Sequence, residues 1–236
     1  MRARGAGAER AVRSPEGLSG LGGITMELRG VSNLYRRFER IIVSAGLLTL
    51  FLIGHRALNE LAHLRPARYL PELIERHIPF LPSFIAVYLL SFALVFVPAF
   101  VIRDRHSFRR TARTFLVVLL ISFALFLVCP LTVQRVESPQ GDGIFVGMLR
   151  WFQSVAKPHN TFPSLHVALC AVAAVSSLAH SRPVGIGMAV YSVLVVVSTL
   201  VLKLHNALDV VAGLLLALVV WMWVGRAPRR EHPRTV

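Results

Sequence analysis

The feature that most constrains this chain is a series of long apolar runs separated by short polar or basic stretches, at 41–62, 81–102, 114–133, 164–180, 184–204 and 207–225. A helix needs about 20 predominantly apolar residues to cross the hydrocarbon core of a bilayer. Inside that core each backbone N–H and C=O must find its partner within the protein, which helices achieve unaided. The expected fold is therefore all-α, a polytopic membrane bundle of six transmembrane helices. Composition agrees, with 55% hydrophobic residues, 16% charged and a mean hydropathy of +0.61. The first run is the weakest, because its purely apolar part ends at Gly54 and is followed by His55 and Arg56; it reads equally well as an interfacial segment.

The formal charge of +14 would in a soluble protein raise nucleic-acid binding, so its location matters. Six spans put both termini on one side, and the positive-inside rule then makes that side cytoplasmic. It carries 18 of the 26 Lys and Arg, whereas the acidic residues divide evenly. Membrane topology thus accounts for the charge without nucleic acid. The expected organisation is a disordered basic segment over 1–33, a six-helix membrane domain over 34–225 and a basic cytoplasmic tail over 226–236. Met26, followed by Glu27 and Leu28, reads as an alternative translation start. Cys129 and Cys170 both lie in apolar stretches with no metal-ligand spacing, so neither a disulfide framework nor a zinc site is expected.

Long polar loops face the non-cytoplasmic side, at about 63–80 and 134–163. The second contains Arg135, a turn-rich stretch from Ser138 to Gly143, an apolar and aromatic segment through Trp151 and Phe152, and then Lys157-Pro158-His159-Asn160-Thr161-Phe162-Pro163-Ser164-Leu165-His166. Proline and serine there mark a helix start, whose free N–H groups and positive dipole end suit a phosphate. An ordinary cap with an interfacial histidine would look the same. At the far end of the fifth run stand His205 and Asp209. If helical they share a face, and the carboxylate holds one imidazole nitrogen while the other is left free as a nucleophile. A polar pair that merely ties two helices together is the alternative. Topology brings His166, His205 and Asp209 to one membrane face, which neither structural alternative requires.

These residues carry a family resemblance. The chain resembles the type 2 phosphatidic acid phosphatase and vanadium haloperoxidase superfamily, whose signature comprises Lys-x6-Arg-Pro, Pro-Ser-Gly-His and Ser-Arg-x5-His-x3-Asp. Pro163-Ser164-Leu165-His166 is similar to the second part with leucine for glycine, and Ser198 through His205 to Asp209 has the third part's spacing with Thr199 in the arginine position. Arg135 is the match for the first part's arginine, with Val128 at the lysine position and Val136 at the proline. Phe162 and Leu165 resemble the branch that contains inositol phosphorylceramide synthases.

The resemblance implies a phosphohistidine mechanism without metal or cofactor, with His205 as nucleophile, Asp209 as its partner and His166 as general acid and base. Ser164, Arg135 and Lys157 become the phosphate-binding candidates. The implied partners are the bilayer and a phospholipid or isoprenoid phosphate; no protein partner is indicated. Three readings stay open: a lipid phosphatase, a transferase passing a phospho-headgroup to inositol, a sugar or ceramide, and a catalytically inactive protein of the same fold, the last motivated by Thr199. Of the remaining basic residues, Lys203 is expected to snorkel to the interface and Arg150 to anchor the loop beside Trp151.

Overall fold

The chain crosses repeatedly between helices and short connections. The computed structural model describes residues 16–136 and 139–225, so the expected tail over 226–236 and residues 1–15 of the expected disordered segment lie outside it. Contacts divide the chain into an N-terminal unit ending at Glu39 and a main unit from Arg40, which holds the whole candidate site. The order is α1 (Glu16–His63), β1 (Arg68–Tyr69), α2 (Ile85–Leu94), α3 (Val97–Val101), α4 (Arg105–Val128), β2 (Leu131–Thr132), α5 (Ile144–Val155), α6 (Leu165–Leu178), α7 (Arg182–Val201) and α8 (Ala207–Val220), the last extended by a π turn over Trp221–Gly225. Backbone from Glu16 is helical.

Among the described residues, four helices are long and apolar enough to cross a bilayer: Arg37–His63, Arg105–Val128, Arg182–Val201 and Ala207–Val224. The weak first run is among them. The other two expected spans occur as shorter apolar helices, Pro82–Leu94 and Leu165–Leu178. The 81–102 run is interrupted at Val95 and Phe96 because Pro98 sits in the first turn of α3, where its ring would clash with a continuing helix and it has no N–H to give. The 14 residues of α6 extend only about 21 Å at 1.5 Å per residue. This helix is walled by protein instead of lipid. His166, Val167, Ala168, Leu169, Cys170, Val172, Ala173 and Ala174 are all buried, and Ala168, Val172 and Ala173 join Phe115, Val118, Leu119 and Phe126 of α4 in the main apolar core.

The outer loops are tied down by hydrogen bonds. β1 and β2 pair in parallel, Arg68 opposite Leu131 and Tyr69 opposite Thr132. Buried Glu75 accepts from the N–H groups of Leu73 (2.6 Å), Ile74 (3.0 Å) and Ala207 (2.5 Å). Burial pushes its carboxyl up, but these donors outweigh that and hold it below its usual range. Lys203 does not snorkel: its ammonium donates to the carbonyls of Glu75 and Ile78, fixing the 63–80 loop to the α7–α8 corner. Arg150 does anchor its loop, donating to the carbonyls of Pro139 and Gly141.

Candidate active site

His205 is placed by the way α7 stops and α8 starts. The carbonyl of Thr199 accepts from the N–H groups of Leu204 (3.0 Å) and His205 (3.3 Å), and Lys203 takes a left-handed conformation, φ +56°, that turns the chain. Asn206 then caps α8 in a reciprocal box with Asp209. The Asp209 Oδ2 accepts from the Asn206 N–H at 2.9 Å and faces Nδ1 of His205 at 3.4 Å. The helical reading of His205 is therefore corrected: it stands in the turn before the cap. The pair still meets, because a carboxylate at the third position of a helix reaches back over the residues that precede it. At 3.4 Å the contact is long for a charge-assisted hydrogen bond, a geometry that can tighten when the ring gains charge.

The start of α6 is locked to the same corner. Ser164 caps it, and its N–H donates to the Asp209 carbonyl at 3.0 Å. Gly213, one turn beyond Asp209, allows this approach; a Cβ there would lie 2.5 Å from the Ser164 carbonyl oxygen. His166 follows in the first turn. Its Nδ1 is 3.0 Å from the Tyr88 hydroxyl, its ring is edge-on to Phe51 and Phe92, and its Nε2 has no partner among the described residues. The His166 and His205 ring centroids are 6.4 Å apart, close enough for both to touch one bound phosphoryl group.

Both rings open into a cavity of about 380 Å³. Arg135 lines it with Nε unpartnered, while its two terminal nitrogens donate to the carbonyls of Ala156 and Lys157. Burial pushes the guanidinium down to about 10, with the Tyr88 phenol acting in the opposite sense, so it keeps its charge at neutral pH. Lys157 also lines the cavity but is ion-paired with Glu60, which reduces the charge it can offer a phosphate. Ser164 is fully buried with its hydroxyl unpartnered and is not part of the lining; Asp209 stands behind His205. Thr199 is buried, and its hydroxyl donates to the Val196 carbonyl at 2.8 Å, so this position gives nothing to the cavity.

A family model described as the PAP2 superfamily matches residues 56–223. The chain belongs to the PAP2 superfamily. Its members are generally phosphatases or phosphotransferases, and His166, His205, Asp209 and Arg135 all lie within the PAP2 match. No curated protein matches the chain.

The cavity also has walls that no sequence motif marks. Tyr88 was hidden in an apolar run. From α1 come Phe51, His55 and Asn59, four residues apart and so on one helix face; Phe51 and His55 precede the PAP2 match. His159 links this face to β2: its Nε2 is 3.1 Å from Nδ1 of His63 and its Nδ1 2.8 Å from the Thr132 hydroxyl. Burial, and then the neighbouring His63, Arg135 and Lys157, push the His159 imidazole below its ordinary range. The signal available for His55 and Asn59 was their spacing, together with the rarity of an ionisable side chain within a span. Among the described residues no group of three or more His, Cys, Asp or Glu could hold a metal ion.

Proposed function

We propose that the protein is an integral membrane enzyme that cleaves or transfers the phosphoryl group or phospho-headgroup of a lipid through a phosphohistidine on His205. One observation carries this reading: two imidazoles face one cavity, each with Nδ1 engaged by a different partner, Asp209 for His205 and Tyr88 for His166, so that each has Nε2 to offer. Nε2 of His205 attacks phosphorus, the bond from phosphorus to the leaving oxygen breaks, and Nε2–H of His166 protonates that oxygen. Asp209 stabilises the imidazolium that forms. His166 then takes the proton of an incoming water or alcohol, whose oxygen displaces His205 from phosphorus. General acid–base help of this kind is worth about 10²–10⁴ in rate. Arg135 supplies the fixed cation for charge developing on the phosphoryl oxygens.

A lipid substrate is supported by the rest of the lining, where Leu52 and Trp151 are exposed apolar side chains at the cavity and Phe92 and Leu89 continue the apolar wall. The reading includes six membrane crossings, cytoplasmic termini, a site on the non-cytoplasmic side and affinity to the branch with inositol phosphorylceramide synthases. Cysteine labelling tests the sidedness: Asp142→Cys should react from outside and Ser107→Cys only after permeabilisation, and the reverse pattern would move the site to the other face. The chemistry predicts turnover of phosphatidate or an isoprenoid phosphate that survives EDTA and is inhibited by vanadate, a mimic of pentacoordinate phosphorus. Activity lost to chelator and restored by zinc or magnesium would replace the histidine mechanism with a metal-assisted one.

A further inference from the structure

The cavity has a third imidazole that the proposed chemistry does not use. His55 stands on α1, one residue before the PAP2 match begins; it is half-buried and lines the same cavity as His166 and His205. Its ring is held in place. Phe51 packs against it with ring centroids 5.8 Å apart, Phe126 of α4 meets it edge-on at 5.8 Å, and one ring nitrogen donates to the Asn160 carbonyl. The ring has no further hydrogen-bond partner among the described residues. An apolar side chain would fill the space between Phe51 and Phe126 equally well, so packing does not call for an ionisable group, which is rare within a membrane span.

Donors and acceptors limit what this ring can hold. In a neutral imidazole one nitrogen donates and the other accepts, and here the donor is committed to a carbonyl. What remains is an acceptor. Phosphoryl oxygens also accept, so the two meet favourably only with a proton between them. Imidazole and the second ionisation of a phosphate monoester ordinarily titrate at about 6–6.5, so one proton is shared between them at little cost. The supply of other donors is limited. Thr199 gives nothing to the cavity, Lys157 is paired with Glu60, and Arg135 has two nitrogens on carbonyls. We infer that His55 is a phosphoryl-binding residue of this site, holding a non-bridging oxygen of the substrate through a proton taken up as the substrate binds.

This rests on the phosphohistidine reading above. His55 forms no bond to phosphorus. Its proton comes from water with the substrate, stays between ring and oxygen through both displacements, and returns to water when the phosphoryl product leaves. His205 and His166 define the line of displacement, and His55 and Arg135 hold oxygens beside it. The wall carries other titratable or charged groups: Arg56 and Glu60 on α1, Tyr88 on α2, Arg135, Lys157 and His159 on the 134–163 loop, His166 on α6 and His205 in the turn before α8. The informative quantity is therefore the difference in proton uptake between wild type and His55 variants, not the total.

The test uses the full chain in lipid nanodiscs with inorganic phosphate as the probe. Isothermal titration calorimetry in buffers of different ionisation enthalpy gives both the affinity and the number of protons taken up. His55→Phe fills the space between Phe51 and Phe126 without a donor or acceptor. At about pH 6 it should bind phosphate about tenfold or more weakly than wild type, the worth of a charge-assisted hydrogen bond, and take up fewer protons. The gap in affinity should narrow as pH rises to about 8 and the shared proton is lost from wild type. His55→Gln, whose amide donates without a proton from water, should recover part of the affinity and none of the lost uptake. A histidine that only packs would leave both the proton count and the pH dependence where they are. Phosphate binding to wild type without proton uptake, or uptake undiminished in His55→Gln, would overturn the assignment even if His55→Phe does not fold. His205→Ala separates the two readings: turnover persisting there removes the phosphohistidine, whereas turnover lost there with unmoved phosphate binding in the His55 variants removes only the role of His55.

Discussion

His166 and His205 are the same side chain held in two different ways. His205 stands in a turn whose backbone is tied at Thr199, Asn206 and Asp209, and the group facing its Nδ1 is a carboxylate fixed by the cap of α8. His166 is on a helix, surrounded by Phe51, Phe92 and Tyr88, and the group facing its Nδ1 is a phenol. A carboxylate favours the cationic ring and suits a nitrogen that must carry a phosphoryl group. A phenol carries no charge and can either donate or accept, so it supports both the protonated and the free form of a ring that gives and takes a proton. In the proposed mechanism, partner chemistry is what separates the nucleophile from the acid–base group, where distance and residue type do not.

Removing the proposed nucleophile should have the largest effect. His205→Ala should abolish turnover, and Asp209→Asn should lower kcat by about 10²-fold or more while the protein stays folded, since an amide oxygen can still accept from the Asn206 N–H. Asp209→Asn with wild-type kcat in a steady-state assay would erase the distinction between the two rings. Arg135→Ala comes next: a loss of about 10²-fold in kcat/KM, or roughly 2.7 kcal/mol of transition-state stabilisation at 1.36 kcal/mol per tenfold. Arg135→Lys should recover only part, because a point charge cannot hold the Ala156 and Lys157 carbonyls and the phosphoryl oxygens with one fork. If Arg135→Ala is as active as wild type while His205→Ala is dead, the cation must come from elsewhere on the cavity wall. The smallest effect belongs to Tyr88→Phe, about threefold to tenfold in kcat, the worth of one neutral hydrogen bond. A loss as large as that of Asp209→Asn would show the phenol doing more than positioning.

The placement of His166, His205 and Asp209 at one corner, with Arg135 on the same cavity, was legible because their spacing is local or sits at the end of a hydrophobic run. The helical register assigned to His205 was not, although Asn206 followed three residues later by Asp209 is itself a capping pattern. The ion pair of Lys157 with Glu60 was not legible, because the two stand 97 positions apart in the sequence. The burial of α6 was not legible, because hydropathy cannot distinguish a helix buried among other helices from one facing lipid. The interruption before α3 was readable in Pro98. The α1 wall was obscured by its polarity: His55 looked like the end of a weak span, whereas with Phe51 and Asn59 it is one face of a helix that continues to His63. The 134–163 loop likewise hid α5, whose Leu149 and Phe152 pack inward while Ile144, Phe145 and Trp151 stay exposed.

The central claim is that phosphorus becomes bonded to His205 during turnover. Rapid acid-free quenching of the protein with ³²P-labelled lipid phosphate, followed by peptide mass spectrometry, measures this directly. The expected result is an acid-labile, alkali-stable label on the peptide containing His205, formed at the rate of substrate consumption, absent in His205→Ala and accumulating when His166 is replaced by alanine and a good leaving group is used. A wild-type enzyme that turns over under the same conditions with no label on His205, or with the label on another residue, would contradict it.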